Sequence, residues 1–313
     1  SFFAGQHITI KATINGKETR RSYSICASPN SNELKVAVKA VENGVFSVFA
    51  TTKLKEGDIL EVAEPDGKFI LNPEANKNYI AFAAGSGITP VLSMIKAVLE
   101  AENASTFTLI YGNKSIESTI FKSELEALLE QHPNNFNLHY VFSRERISDS
   151  KFGRIDKGIT NYFVKNIHKE ITFDAAFLCG PEEMIHIISD TLKENNFAEN
   201  TIHFELFTAS TEESSIEIEE GKTEITVLLD DEETTFTMNK TDDILAASLR
   251  NNLDAPYSCQ GGVCSSCLCK VTEGKAIMTK NSILTDGEVE DGFVLACQAH
   301  PTTSKITIDF DDV

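Results

Sequence analysis

The sequence predicts a multidomain chain in which three folds of different class follow one another. An antiparallel β-barrel spans 1–76, a doubly wound α/β domain spans 77–208, and a small mixed module spans 222–313 beyond an acidic linker at 209–221. Three observations carry that division. Short alternating strands with glycine or charged turns fill the first stretch, and apolar strands alternating with helical patterns fill the second. In the third, four of the seven cysteines crowd into "CQGGVCSSCLC", residues 259–269. A chain of 313 residues buries the cores of two or three domains without covalent help, so disulfides are not needed for stability.

The first stretch reads as strands in "GQHITIKATING", "RRSYSICAS", "ELKVAVKAV" and "GDILEVAE". "RSYS" sets an arginine, an aromatic and two hydroxyls side by side. Arg21 suits a phosphate, Tyr23 the face of a planar ring and Ser24 a hydrogen bond to that ring's edge. "GVFS", Gly44 to Ser47, offers backbone N–H groups at a turn for a second phosphate contact. By residue type alone, these positions fit equally a surface arginine and a core tyrosine.

In the second stretch, "NYIAFAAGSGITPVLSMIKAVLEAENASTFTLIYGNKS" runs strand, glycine turn, helix, strand, a βαβ unit of a parallel sheet. Gly85 and Gly87 flank Ser86 at the strand's carboxyl end, Thr89 follows, and Pro90 stands where the helix is beginning and needs no N–H. A glycine turn opening onto a helix N-terminus is where a pyrophosphate binds, although tight packing alone also explains such a turn. Further helices are expected in "STIFKSELEALLEQH" and "GITNYFVKNI", a strand in "FNLHYVFSRE", and a strand leading into a helix in "DAAFLCGPEEMIHIISDTLKENN". Cys179, Gly180 and Pro181 end one strand at the crevice where open α/β sheets bind ligands. Ser143 and Arg144 end another and suit a ribose 2'-phosphate, with Arg146 and Arg154 near enough to help. Taken singly, Cys179 fits a core cysteine and Arg144 a solvated charge.

The third stretch reads as two strands around an acidic turn in "TEITVLLDDEETTFTMN" and a helix in "TDDILAASLRNN" with Thr241 as N-cap. The cysteine loop and a last strand in "KITIDF" follow. Cys259, Cys264 and Cys267 stand as C-x4-C-x2-C, and Cys297 follows after 29 further residues. Zinc sites favour paired C-x2-C knuckles, of which this sequence has one. Three thiolates on one wrapping loop, with a fourth from a distant strand, suit a [2Fe-2S] cluster, and Gly261 and Gly262 leave room for its sulfides. Cys269 falls outside the spacing and reads as a small buried residue.

The net charge is −19, and 222–313 alone hold sixteen acidic against seven basic side chains. Such a field repels nucleic acid and anionic membrane and steers toward a basic patch on a protein partner. No uncharged run reaches the length of a membrane span, and the opening "SFFAGQHITIKA" has neither a basic start nor an apolar h-region. The expectation is a cytoplasmic protein without nucleic-acid or membrane partners.

Taken in order, Arg21-Ser22-Tyr23-Ser24, Gly44-x-x-Ser47, Gly85-Ser86-Gly87-Ile88-Thr89-Pro90 and Cys179-Gly180-Pro181 resemble the ferredoxin-NADP reductase superfamily. The C-terminal part resembles the β-grasp fold of plant-type [2Fe-2S] ferredoxins, an arrangement found in reductase components of oxygenases. The resemblance implies that Arg21 and Ser22 hold FAD with Gly44, Val45, Phe46 and Ser47 at its phosphates, that Tyr23 packs on the isoalloxazine, and that Ser24 lies near flavin N5. It implies that Gly85, Ser86, Gly87, Thr89, Pro90, Gly180 and Pro181 hold the nicotinamide dinucleotide, with Cys179 approaching the nicotinamide. Ser143 and Arg144, helped by Arg154, would select NADPH, and Glu205 and Phe207 of "HFELF" would border the flavin. Ser24, Cys179 and Glu205 are thus the expected catalytic residues, and Cys259, Cys264, Cys267 and Cys297 the expected metal ligands. Relatives place a further barrel strand ahead of the opening "FFAGQH", so the barrel is expected to lack it.

The implied activity is electron transfer from NADPH through FAD and [2Fe-2S] to a partner oxygenase component. A flavin is required because nicotinamide gives up two electrons together whereas the cluster takes one at a time. The linker carries five acids without apolar periodicity, so the ferredoxin is expected to swing on it. FMN in place of FAD, a reductase whose partner is a ring-hydroxylating dioxygenase, a hydroxylase or a desaturase, a carrier with an inactive reductase half, and a redox sensor are the alternative readings.

Overall fold

The computed structural model describes residues 1–101, 104–207, 216 and 218–313; most of the expected linker lies outside the described residues. The chain divides into two compact units, Ser1–Leu206 and Phe207–Val313.

In the first unit, β1 (His7–Ile14) turns back through Asn15 and Gly16 into β2 (Lys17–Ser24). Both turn residues have positive φ, 54° and 77°, which matches strand twist in a two-residue hairpin and which Asn-Gly adopts with little strain. A short β3 (Glu61–Val62) pairs with the other side of β1, and isolated bridges Ala4–Leu71, His7–Asp66 and Ile25–Val36 extend the pairing.

Two expectations fail here. "ELKVAVKAV" forms no strand beyond the bridge at Val36: its alternation sends Val36 and Ala37 into two different apolar clusters rather than onto a ladder. "GVFS" is no turn but the start of helix α1 (Val45–Thr52), capped by Gly44. A Cβ on Gly44 would meet Ser47 Oγ at 2.3 Å and Val41 Cγ2 at 2.5 Å, so any side chain there would have to displace both. Phe46 is driven inward against Ile8, Ile10 and Ile25.

The same unit holds β4 (Asn78–Ala84), α2 (Ile88–Glu100), β5 (Thr106–Asn113), α3 (Lys122–Gln131), β6 (Phe136–Phe142) and β7 (Lys151–Phe152). Then come α4 (Lys157–Asn161), β8 (Ala175–Cys179), α5 (Glu182–Glu194) and β9 (Ile202–Glu205). The expected helix in "GITNYFVKNI" is α4 running on into a π-helical segment, Tyr162–Ile167. The six strands form one parallel sheet in the order β7-β6-β5-β4-β8-β9. Helix α2 buries eleven of its thirteen residues, because its apolar surface packs on the sheet and also on Ala4, Cys26, Phe69 and Leu71 of the N-terminal segment. Each fully buried Leu, Ile or Phe here contributes about 1.5–3 kcal/mol. Ser93 Oγ, donating to the Ala27 carbonyl at 2.7 Å, ties α2 to that segment.

The second unit contains β10 (Lys222–Leu229), β11 (Glu232–Asn239), α6 (Ile244–Arg250), β12 (Leu268–Glu273) and β13 (Ala276–Met278). They are followed by α7 (Asp286–Glu290), β14 (Phe293–Leu295), β15 (Ala299–Pro301) and β16 (Lys305–Asp309). The main sheet runs β11-β10-β16-β12-β14 with β10 and β16 parallel, and α6 shares its apolar cluster. The first hairpin turns through Asp230 and Asp231, both at positive φ, and Asp311 accepts from both of their N–H groups at 3.0 and 2.9 Å. The N-cap of α6 is Asp243, not Thr241. The carboxylate of Asp243 accepts from Ala246 N at 2.7 Å, satisfying a leading donor that Thr241 stands too far upstream to reach. No helix among the described residues is long and apolar enough to cross a membrane.

Candidate functional site

The chain leaves β4 toward β5, β6 and β7, then returns to place β8 and β9 on the other side of β4. The crevice at the carboxyl ends of β4 and β8 is therefore the topological switch point of the sheet. Gly85 (φ +55°), Ser86 and Gly87 form one lip and Cys179, Gly180 and Pro181 the other. A Cβ on Gly87 would stand 2.0 Å from the Cys179 carbonyl oxygen, so the two lips approach as closely as glycine permits. Tyr111 Oη donates to the Gly85 carbonyl at 2.9 Å, and Thr89 Oγ1 donates to that of Ser86 at 3.0 Å. Pro90 lies buried in the first turn of α2, which has no side-chain cap, and Ile88 N, the first donor of the helix, turns back to the Gly85 and Ser86 carbonyls.

Beside this crevice three of the expected residues meet. Cys179 is paired in register with Ala83 on one side and Glu205 on the other. Ser24 Oγ donates to Glu205 Oε2 at 3.2 Å, and His7 Nδ1, opposite Ser24 across β1 and β2, stands 3.9 Å from Glu205 Oε1. Burial pushes the Glu205 carboxyl up to about 8, opposed by the Ser24 hydrogen bond, although its side chain keeps 15% exposure. Burial, then the Glu205 charge, raises the Cys179 thiol well above its ordinary value. Cys179 is thus a neutral thiol, and Glu205 exchanges its proton near neutral pH.

Across the sheet, Ser143 N and Arg144 N, just past β6, donate to the Asn113 and Lys114 carbonyls, each at 3.0 Å, which fixes both on the same rim. Arg146 is stacked on Phe152 at 4.2 Å, and Arg154 lies exposed beyond β7; neither has a described contact with Arg144.

Along β2, Ser22 Oγ pairs with Thr9 Oγ1 at 2.9 Å, Tyr23 packs on Phe46 with ring centroids 5.5 Å apart, and Arg21 is exposed. Val45 faces solvent at the start of α1, and Ser47 Oγ accepts from Val41 N at 3.3 Å. A half-buried aromatic, an exposed guanidinium on the same strand and a helix start capped only by glycine are a donor set that fits a flavin and its phosphates. Phe207 is exposed.

In the second unit the Cys264 and Cys297 thiols reach Cys259 within hydrogen-bonding range, lowering its pKa, and Cys297 reaches Cys267 likewise. All four are free of disulfides. Among the described residues no three His, Cys, Asp or Glu side chains ring a single ion. A string of four thiols fits a two-iron rhomb, which takes two thiolates per iron, better than it fits tetrahedral zinc. Gly262 (φ +71°) admits no Cβ, which would stand 2.9 Å from the Lys280 carbonyl, and Gly261 N donates to Cys259 Sγ at 3.3 Å. Cys269 is buried in β12 with its thiol toward the Val294 carbonyl.

Residue type alone does not reveal that His7 and Tyr111 reach this crevice, or that Asn113 and Lys114 share the rim with Ser143 and Arg144. Each takes its place through a neighbour distant in the chain, and only the period of β1 and β5, which turns alternate residues to one face, hinted at it.

Comparison with known proteins agrees with this geometry. Residues 1–70 match the oxidoreductase FAD-binding domain family, residues 82–190 the oxidoreductase NAD-binding domain family and residues 227–302 the 2Fe-2S iron-sulfur cluster binding domain family. Over 99% of its length the chain is 41% identical to one of the subunits of the 1,2-phenylacetyl-CoA epoxidase of Escherichia coli (strain K12), covering 89% of that protein. It is 29% identical to the ferredoxin reductase component of a 3-ketosteroid-9-alpha-monooxygenase of Rhodococcus rhodochrous, over 98% of this chain and 87% of that one. Phthalate dioxygenase reductase, whose solved structure is described as a modular structure for electron transfer from pyridine nucleotides to [2Fe-2S], aligns with a TM-score of 0.61 at 26% identity, over 99% of this chain and 88% of that one. Three cofactor domains in this order, at that identity and over that length, make the chain a member of the ferredoxin-NADP reductase superfamily, in the branch of NAD(P)H-dependent, FAD- and [2Fe-2S]-containing reductase components of oxygenase systems.

Proposed function

We propose that this reductase takes its electrons from NADPH in preference to NADH and delivers them to the di-iron oxygenase of a phenylacetyl-CoA epoxidase. The observation that carries the partner is the 41% identity, sustained over 99% of the chain, to a component of such an epoxidase, against 29% for the 3-ketosteroid monooxygenase reductase. The rim residues Ser143 and Arg144 support the nucleotide, because a guanidinium fork and a hydroxyl at one strand end match a phosphate monoester that NADH lacks.

Bound FAD supplies the step from a two-electron hydride to single electrons that the cluster can carry. The chain's own residues supply placement. The glycine turn at Gly85 and Gly87 and the start of α2 would hold the pyrophosphate, and Cys179 would set the depth of the nicotinamide without reacting. Tyr23 would orient the flavin ring, and Arg21 and the start of α1 would hold its phosphates. Glu205, whose proton is exchangeable near neutral pH, would exchange it with the flavin edge through the Ser24 hydroxyl that donates to it. Cys259, Cys264, Cys267 and Cys297 would hold the cluster.

The test is reconstitution of the purified reductase with the epoxidase oxygenase component and phenylacetyl-CoA, and separately with a ring-hydroxylating oxygenase and its substrate. NADPH-dependent product with the first and little with the second supports the proposal; equal coupling to both, or coupling only to the second, refutes the partner.

A further inference from the structure

We infer that Asn113 and Lys114, at the carboxyl end of β5, complete the adenosine end of the nucleotide site, with the Asn113 amide donating to an oxygen shared by NADPH and NADH and Lys114 pairing with the 2'-phosphate. The inference deepens the NADPH reading and rests on it for Lys114.

Asn113 is 9% exposed, and its Nδ2 has no hydrogen-bond partner. The nearby Tyr111 hydroxyl is close enough to feel it but stands outside hydrogen-bond geometry, and that hydroxyl already donates to the Gly85 carbonyl at 2.9 Å. A buried amide donor left unmade costs about 1–3 kcal/mol, so its retention at a ligand-binding strand end calls for an acceptor that arrives with the ligand. Its place is specific. Tyr111 and Asn113 share one face of β5, and Tyr111 touches the glycine turn while the Asn113 carbonyl receives Ser143 N at 3.0 Å. Asn113 therefore stands between the glycine-turn lip and the Ser143–Arg144 rim, where the adenosine ribose of either nucleotide would lie.

Lys114 is drawn to the same rim by its carbonyl, which accepts from Arg144 N at 3.0 Å. It is exposed and makes no ion pair among the described residues. Three neighbouring charged side chains are engaged elsewhere, while Arg154 beyond β7 is exposed. Glu145 accepts from Ile116 N at 2.9 Å, Arg146 covers the Phe152 ring at 4.2 Å, and Lys151 covers that of Tyr162 at 3.5 Å. Lys114 and Arg144 remain as two cations from adjacent strand ends, one a point charge and the other a fork, a pair suited to a phosphate dianion.

The test is calorimetric binding of 2',5'-ADP and of 5'-ADP to the holoprotein, wild type and two variants. Lys114→Gln is expected to weaken 2',5'-ADP roughly 3- to 10-fold and leave 5'-ADP within about twofold; Asn113→Ala is expected to weaken both about fivefold. An unchanged affinity for 2',5'-ADP in Lys114→Gln, or for 5'-ADP in Asn113→Ala, overturns the corresponding half. Lys114 lies on the surface, so its variant folds whatever becomes of Asn113→Ala. If Arg144→Gln loses 2',5'-ADP selectively while Lys114→Gln does not, the NADPH reading stands and the role of Lys114 falls. If the wild type binds the two ligands equally, the NADPH reading falls with Lys114, and 5'-ADP still decides Asn113.

Discussion

Ser24 and Glu205, 181 residues apart in the chain, are joined by a 3.2 Å hydrogen bond that brings the last residue of β2 to the last residue of β9. The bond links the strand that carries Arg21, Ser22 and Tyr23 to the strand beside Cys179, and it holds a carboxyl pushed up to about 8, chiefly by burial.

That pKa has a consequence for stability. The native value lies above the ordinary 4.5, so the native state keeps a proton that the unfolded state releases. Stability from this group is full below 4.5 and is lost as pH rises through 8. Urea unfolding of wild type and Glu205→Gln at about pH 6 and pH 9 is expected to show about 2 kcal/mol more loss in the wild type. Equal losses contradict the assignment. In the same variant, flavin reduction by NADPH is expected to slow by about tenfold.

At the crevice, Gly87→Ala places a methyl 2.0 Å from the Cys179 carbonyl oxygen. NADPH-driven reduction is expected to fall more than about tenfold, while dithionite still bleaches the cluster, because the second unit is untouched. Normal NADPH turnover in this variant would show that the two lips need not meet.

The cysteines separate by role. Cys264→Ser is expected to remove the visible absorbance of the cluster, whereas Cys269→Ser keeps it and loses about 1–3 kcal/mol of stability through a buried hydroxyl. Retained cluster absorbance in the first variant, or lost absorbance in the second, reverses the assignment.

Elsewhere on the parallel-sheet domain, His139 Nε2 and His168 Nε2 lie 2.8 Å apart, and burial, then His168, holds the His139 pKa down to about 4. The native value lies below the ordinary 6.5, so the stability it confers is full above 6.5 and is lost as pH falls through 4. Between about pH 7.5 and 4.5 the wild type is expected to lose about 2 kcal/mol more than His139→Leu in matched urea titrations. Parallel losses contradict a neutral buried pair.

How much of the molecule is legible in the sequence follows from the range of the forces involved. "GSGITP" and C-x4-C-x2-C stand out in the sequence because each carries a glycine whose local backbone is left-handed, as the positive φ of Gly85 and Gly262 illustrates. Helix α1 looks like a turn in the sequence because nothing in "GVFS" announces that Phe46 will be drawn against Ile8 and Ile25. "ELKVAVKAV" looks like a strand because period-2 alternation also serves a segment wedged between two cores. Asn113 and His7 are invisible because their meaning lies in register with Ser143 and Ser24, which a single sequence does not display.

Anaerobic stopped-flow absorbance of the holoprotein mixed with NADPH, and separately with NADH, tests the central claim most directly. Flavin bleaching followed by cluster bleaching, much faster with NADPH, is the predicted result. A cluster spectrum that responds to neither nucleotide would contradict electron transfer through this chain and leave a carrier with an idle reductase half.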